Sequence, residues 1–99
     1  MANKQRRYAL SPLAERDLED IWRYTVERWS VKQAETYHAE VIRSFEGLAS
    51  GLNIGRRADV REGYFKYIVG SHVIYYLLQD SQIAIIRVLH KRMDVNRHL

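Results

Sequence analysis

Trp29-Ser30-Val31-Lys32-Gln33-Ala34 decides the first half of the chain. A serine followed three residues later by glutamine has the capping-box pattern: the hydroxyl accepts from the third amide and the glutamine reaches back. One helix therefore starts at Ser30, and another must end just before it. Upstream, Leu18, Ile21, Trp22, Thr25 and Trp29 fall on one helical face. That first helix begins at Ser11-Pro12, because serine is a good N-cap and proline at the first helical position sacrifices no hydrogen bond. Glu15, Asp17, Glu19 and Asp20 lie in and near its first turns, where the helix dipole favours acids. Downstream, Ala34, Tyr37, Val41, Phe45, Leu48 and Leu52 form a second stripe, and Ser50-Gly51 supplies a stop. Two helices with so short a turn between them fold back as an antiparallel hairpin.

Outside the hairpin the pattern changes. Tyr8-Ala9-Leu10 is a short apolar segment that can serve as a strand, and Asn53 to Glu62 reads as a polar, Arg-rich loop. After it the period becomes two: Tyr64, Lys66 and Ile68 alternate with Phe65, Tyr67 and Val69. Gly70-Ser71 is a two-residue hairpin signal, and Val73-Ile74-Tyr75-Tyr76-Leu77-Leu78 is as continuously apolar as a central strand covered on both faces. Asp80-Ser81 turns the chain into a last strand, Ile83 to Leu89. Strict alternation there puts Ala84, Ile86, Val88 and His90 on one face and Ile83, Ile85, Arg87 and Leu89 on the other. The order β-α-α-β-β-β predicts an α+β fold, a helical hairpin packed on one face of a twisted antiparallel sheet, with the first strand added at an edge.

Ninety-nine residues, 46% hydrophobic and 28% charged, fit one globular domain spanning 1–99. The absence of cysteine excludes disulfides, thiolate metal sites and a cysteine nucleophile. No apolar run approaches the ~20 residues a membrane span needs. The cations of Met1 to Arg7 have no apolar segment behind them, so no secretory signal is expected and the cytoplasm is the plain location. The net charge of +4 is concentrated. Residues 56–66 and 87–98 hold eight cations against three carboxylates, a patch suited to nucleic acid or an acidic protein segment if the fold joins them.

Of the four histidines, His38, His72, His90 and His98, none pairs at metal-ligand spacing, and no nucleotide-binding loop or nucleophile elbow is present. No metal or cofactor is expected. His90 has two readings. Beside Lys91 and Arg92 it could act as a general acid in RNA cleavage, with Arg61, Arg87 and Arg92 holding the phosphate. It could equally hydrogen-bond the backbone and order the tail, a role that requires no poised partner. Arg87, a charge inside an apolar strand, must lie on a solvated sheet face or against a buried acid. Together with Arg61 and Lys66 it could line an open sheet face for phosphates or carboxylates. The tyrosines of the hairpin suit core packing better than base stacking.

Three groups of residues carry a resemblance. Tyr8-x-Leu10-Ser11-Pro12-x-Ala14-x-x-Asp17-Leu18-x-x-Ile21-Trp22 opens the chain, and Trp29, Gln33-Ala34 and Tyr37 mark the second helix. Arg61-x-Gly63-Tyr64, Gly70-Ser71-His72, Tyr75-Tyr76 and Ile86-Arg87-Val88-Leu89-His90-x-x-Met93-Asp94 mark the sheet. In order and spacing these resemble the ParE branch of the RelE/ParE toxins, the toxic halves of bacterial toxin–antitoxin operons. The resemblance implies a DNA gyrase inhibitor with no reaction of its own. It also implies a hetero-oligomer with a ParD-like ribbon-helix-helix antitoxin, through which alone operator DNA is reached. Trp22, Trp29, Tyr37, Arg61 and Arg87 become candidates for the antitoxin contact, and Lys91, Arg92, Met93, Asp94 and Arg97 for the target contact. The RelE branch instead cuts mRNA on the ribosome. Asn96-Arg97-His98-Leu99 lacks the tail tyrosine that such enzymes use.

Overall fold

The computed structural model describes residues 6–99; most of the Met1–Arg7 stretch read above for a secretory signal lies outside that range. In chain order the elements are β1 (Arg7–Leu10), α1 (Pro12–Arg28), α2 (Val31–Ser50), β2 (Arg56–Arg57), β3 (Tyr64–Val69), β4 (His72–Leu78) and β5 (Gln82–His90). A 3-10 turn, Val95–Arg97, follows. Both serine caps form, but the capping box at Ser30 is only half made, because the Ser30 amide donates to the Thr25 carbonyl at 3.2 Å and not to the Gln33 side chain. The Ser30 hydroxyl accepts from the Gln33 amide at 3.0 Å, and the Ser11 hydroxyl accepts from the Ala14 amide at 2.9 Å. Ser11 also donates to the Ile86 carbonyl at 2.7 Å, so one side chain both caps α1 and fastens it to β5. At the other end of the hairpin, Gly51 takes φ 87°, the left-handed conformation that closes α2.

The five strands form one sheet in the order β1-β5-β4-β3-β2. The helical hairpin lies on one face, and Val41, Phe45, Ile74, Ile83 and Ile85 are fully buried between the two layers. Burying that apolar surface is the main source of stability.

Three features depart from the expectation. The sheet is mixed, because β1 runs parallel to β5. The reason lies in β2, a two-residue strand inside the segment read as a loop, antiparallel to β3 through Arg56↔Lys66 and Arg57↔Phe65. Its extra reversal makes the last strand emerge in the direction of the first. Second, β5 does not alternate strictly. Tyr75 pairs with Arg87 but Tyr76 pairs with Ile85, so Ile86 is bulged out. Ile83, Ile85, Val88 and His90 consequently share the helix-facing side, while Ala84, Arg87 and Leu89 share the other. Third, that other face is not open. Ala58, Tyr75 and Leu89 are buried there beneath Val60, Tyr64, Val73, Val95 and Leu99. Among the described residues no helix is long and apolar enough to cross a membrane.

Candidate functional site

On the face away from the helices, strand register builds two rows. Arg56, Lys66, Tyr75 and Arg87 stand side by side across four strands, and Ile68, Val73 and Leu89 form the next row. The first row gathers cations drawn from both basic stretches of the sequence. Arg61 joins them from the β2–β3 connection, its guanidinium 5.6 Å from the Tyr64 ring centroid.

Arg87 sits where β1 has ended, since the last β1 pairing is Leu10↔Ile85. Its guanidinium reaches around this edge. Nε and Nη2 each donate to a different oxygen of Asp17 at 2.8 Å, and Nη1 donates to the His98 carbonyl at 2.8 Å. Asp17 also accepts from the Val88 amide at 2.9 Å, so the carboxylate satisfies a strand edge that β1 leaves bare. The two side chains are only 13% and 10% exposed, and the bond to Asp17 holds the proton on Arg87 more firmly than usual. Of the two environments expected for this arginine, the buried acid is the one found. Asp17 itself reads in the sequence only as an acid suited to a helix N-terminus. Its signal was position: it shares the buried stripe with Ala14, Leu18 and Thr25.

The segment after β5 lies back over the sheet. The Lys91 amide donates to the Ser71 carbonyl at 3.0 Å and the Arg92 amide to His90 Nδ1 at 3.1 Å. Asp94 caps the 3-10 turn by accepting from the Asn96 amide at 3.1 Å. Val95 and Leu99 then pack over Tyr75 and Leu89, and Arg61 donates to the Leu99 carbonyl oxygen at 2.6 Å. Arg61 and Arg87 are thus both engaged by the tail. Lys91, Arg92, Met93, Asp94 and Arg97 project into solvent as an exposed ridge; Arg97 keeps only a long contact of 3.9 Å with Asp94.

His90 belongs to a different cluster, on the helix-facing side. It pairs across the strands with His72, ring centroids 5.3 Å apart and edge to face. His72 Nδ1 lies 2.6 Å from the Tyr37 hydroxyl, which donates to the Val69 carbonyl and accepts from the Ser71 amide. Burial and the adjacent His90 push His72 down to about 4, so it is neutral at physiological pH. Tyr37 is therefore tied beneath the β3–β4 turn, where Gly70 at φ 55° leaves it room. The cleavage set does not assemble: His90 and Arg92 stand together, but Arg61 lies across the sheet.

The hairpin carries the remaining feature, a groove of about 510 Å³ with Leu18, Trp22 and Val26 as its floor and Glu19, Arg23, Glu27 and His38 as its rim. Trp22 meets His38 edge-on at 6.0 Å. Trp29 is the C-cap of α1 and is 71% exposed, well away from the core its spacing suggested.

Comparison with known proteins adds sequence and fold likeness. Residues 8–95 match the family model described as the ParE toxin of the type II toxin–antitoxin system, parDE. The chain is 45% identical over 95 residues to Toxin ParE1 of Mycobacterium tuberculosis, covering 94% of this chain and 97% of that one. In fold it is similar to a chain of the chromosomal ParDE system from P. aeruginosa, with a TM-score of 0.77 at 14% identity over 89% of this chain and 98% of that one. It is also similar to a chain of the RelBE2 toxin–antitoxin complex from M. tuberculosis, with a TM-score of 0.62 at 21% identity over 90% and 94%.

Proposed function

This chain belongs to the ParE toxins of type II toxin–antitoxin systems, and from that membership we propose that it inhibits DNA gyrase and is neutralised by a ParD-like antitoxin. Both encounters belong to the cytoplasm, and operator DNA is reached only through the antitoxin. The observation that carries the reading is the match over residues 8–95, nearly all of the described chain. The molecule offers a surface for each encounter. The apolar groove on α1 suits the amphipathic helix of an antitoxin, with Trp22 as the central anchor. The solvated ridge of Lys91, Arg92, Met93 and Arg97 suits the target, because these side chains are exposed, whereas Asp94 caps the 3-10 turn and Val95 packs on the sheet.

A ribosome-dependent nuclease would need His90 and a phosphate clamp on one side of the sheet. Arg87 is held by Asp17 and His98 and Arg61 by Leu99, while His90 lies on the helix side. That separation supports an inhibitor without a reaction of its own. The test is a plasmid incubated with gyrase, ATP and the purified chain, then stopped with detergent and protease. Linear DNA should accumulate in proportion to the chain. A plasmid that stays supercoiled, with mRNA cut in a ribosome assay instead, would overturn the proposal.

A further inference from the structure

The tail covers only half of the sheet face opposite the helices. Over β4 and β5 it lays Val95 and Leu99 on Tyr75 and Leu89 and presents backbone carbonyls to Arg61 and Arg87. The half over β2 and β3 repeats the same surface chemistry with less cover: Arg56 is exposed, and Lys66 is half-buried beside Val95 and Asn96. Arg56 and Lys66 are register partners there, and Ile68 is 54% exposed beyond them. Continuing the β2–β3 register by two residues sets Ile54, 85% exposed, opposite Ile68. Gly55 makes that approach possible: a Cβ there would lie 2.5 Å from the Lys66 carbonyl oxygen. An apolar pair and a cationic pair therefore stand side by side at one corner of the sheet. Scattered exposed apolar residues are ordinary, whereas here two face each other beside two cations.

We propose that this corner, Ile54 and Ile68 with Arg56 and Lys66, is a second docking site for an acidic, apolar-bearing segment of the antitoxin, distinct from the α1 groove. The proposal rests on the antitoxin reading given above. Charge selects the occupant. Among the described residues, neither Arg56 nor Lys66 has a carboxylate within 4.0 Å, so neither is neutralised within the fold and both complement an anionic segment. A second copy of this chain would set those cations against their own counterparts. The apolar pair next to them favours a peptide with alternating aliphatic and acidic side chains over a phosphodiester backbone. Such a segment would continue the cover that the tail begins, with carboxylates where the tail supplies carbonyls.

The experiment uses the antitoxin encoded beside this gene, co-expressed, separated in denaturant and titrated back by calorimetry. Arg56→Glu/Lys66→Glu should weaken binding by about 30-fold or more, and Ile54→Ala/Ile68→Ala by about ten-fold. The thermal midpoint of the free chain should not move for Ile54→Ala/Ile68→Ala, whose side chains are exposed, and should fall only slightly for Arg56→Glu/Lys66→Glu, because Lys66 is half-buried. Trp22→Ala reports on the α1 groove in the same titration. If Trp22→Ala weakens binding while both corner variants bind like the wild type, the corner proposal falls and the antitoxin reading stands. If the wild-type chain binds no antitoxin at all, both fall together. Sedimentation showing a dimer that Ile68→Asp dissolves would reassign the corner to self-association. A labelled single-stranded oligonucleotide that binds only while Arg56 and Lys66 are present would reassign it to nucleic acid.

Discussion

Asp17 and Arg87 form the contact on which most of the molecule's edges converge. One carboxylate accepts from two guanidinium nitrogens and from the Val88 amide, so removing it strands a nearly buried cation and a strand amide together. Loss of one partner of such a pair costs about 3 kcal/mol. Asp17→Ala should lower the urea midpoint accordingly, and Arg87→Lys should fall between the two, keeping charge but losing the fork. Half of this pair was legible in the sequence. Arg87 stood out as a cation in an apolar strand, but its partner lies seventy residues earlier, where the acid has a sufficient local explanation in the helix dipole. His72 yields a second prediction at this scale. The folded chain holds it at about 4 against an ordinary 6.5, so the unfolded chain takes up the proton first. The stability its neutral form contributes is complete above about pH 6.5 and is lost as pH falls towards 4. Allowing for its partial exposure, the loss should be about 1–2 kcal/mol, and His72→Gln should flatten the urea midpoint across that window.

Elements were easier to read than their pairing. Caps and stripes announce helices, and the Gly70-Ser71 turn fixes the β3–β4 hairpin, because those signals are local. The bulge at Ile86 is marked by neither glycine nor proline. It arises because β5 must place Ile83 and Ile85 against the helices, yet also turn Leu89 towards the tail. Two-residue β2 is too short for any periodicity, yet it sets the direction of β1 relative to β5. The tail was legible as a family signature but not as a cover, since Val95 and Leu99 acquire meaning only over Tyr75 and Leu89. This gives the ridge a test separate from folding. Lys91 and Arg92 are exposed and bonded only through their backbone, so Lys91→Glu/Arg92→Glu should leave the unfolding midpoint unchanged while abolishing linear DNA in the gyrase assay. Unchanged gyrase poisoning by that variant would move the target contact elsewhere. Gly51→Ala at φ 87° should cost about 1 kcal/mol, read from the same midpoint, and leave poisoning untouched.

Taken whole, the molecule is electrically two-sided. Residues 12–50, the helical hairpin, carry eight acids against five Lys and Arg, and the rest of the chain carries the remaining +7 of a net +4. Concentration of charge in two stretches was legible in the sequence; that the cationic row and the helical groove lie on opposite layers required the fold. A separation of this kind orients an approaching partner before contact. With the two proposed docking sites, an antitoxin with an acidic segment would be drawn to the sheet corner first, and its helix would then be held near the groove at high effective concentration. On that account the charges act mainly on the encounter, and the apolar contacts on departure. Raising salt from ~0.01 M to ~0.3 M shortens the Debye length several-fold and should slow association in stopped-flow by about ten-fold or more, with little change in dissociation. Arg56→Glu/Lys66→Glu should flatten that salt dependence, while Trp22→Ala should leave it intact and speed dissociation instead. An association rate indifferent to salt would mean that the helical groove captures the antitoxin unaided, and that the cationic layer faces the target alone.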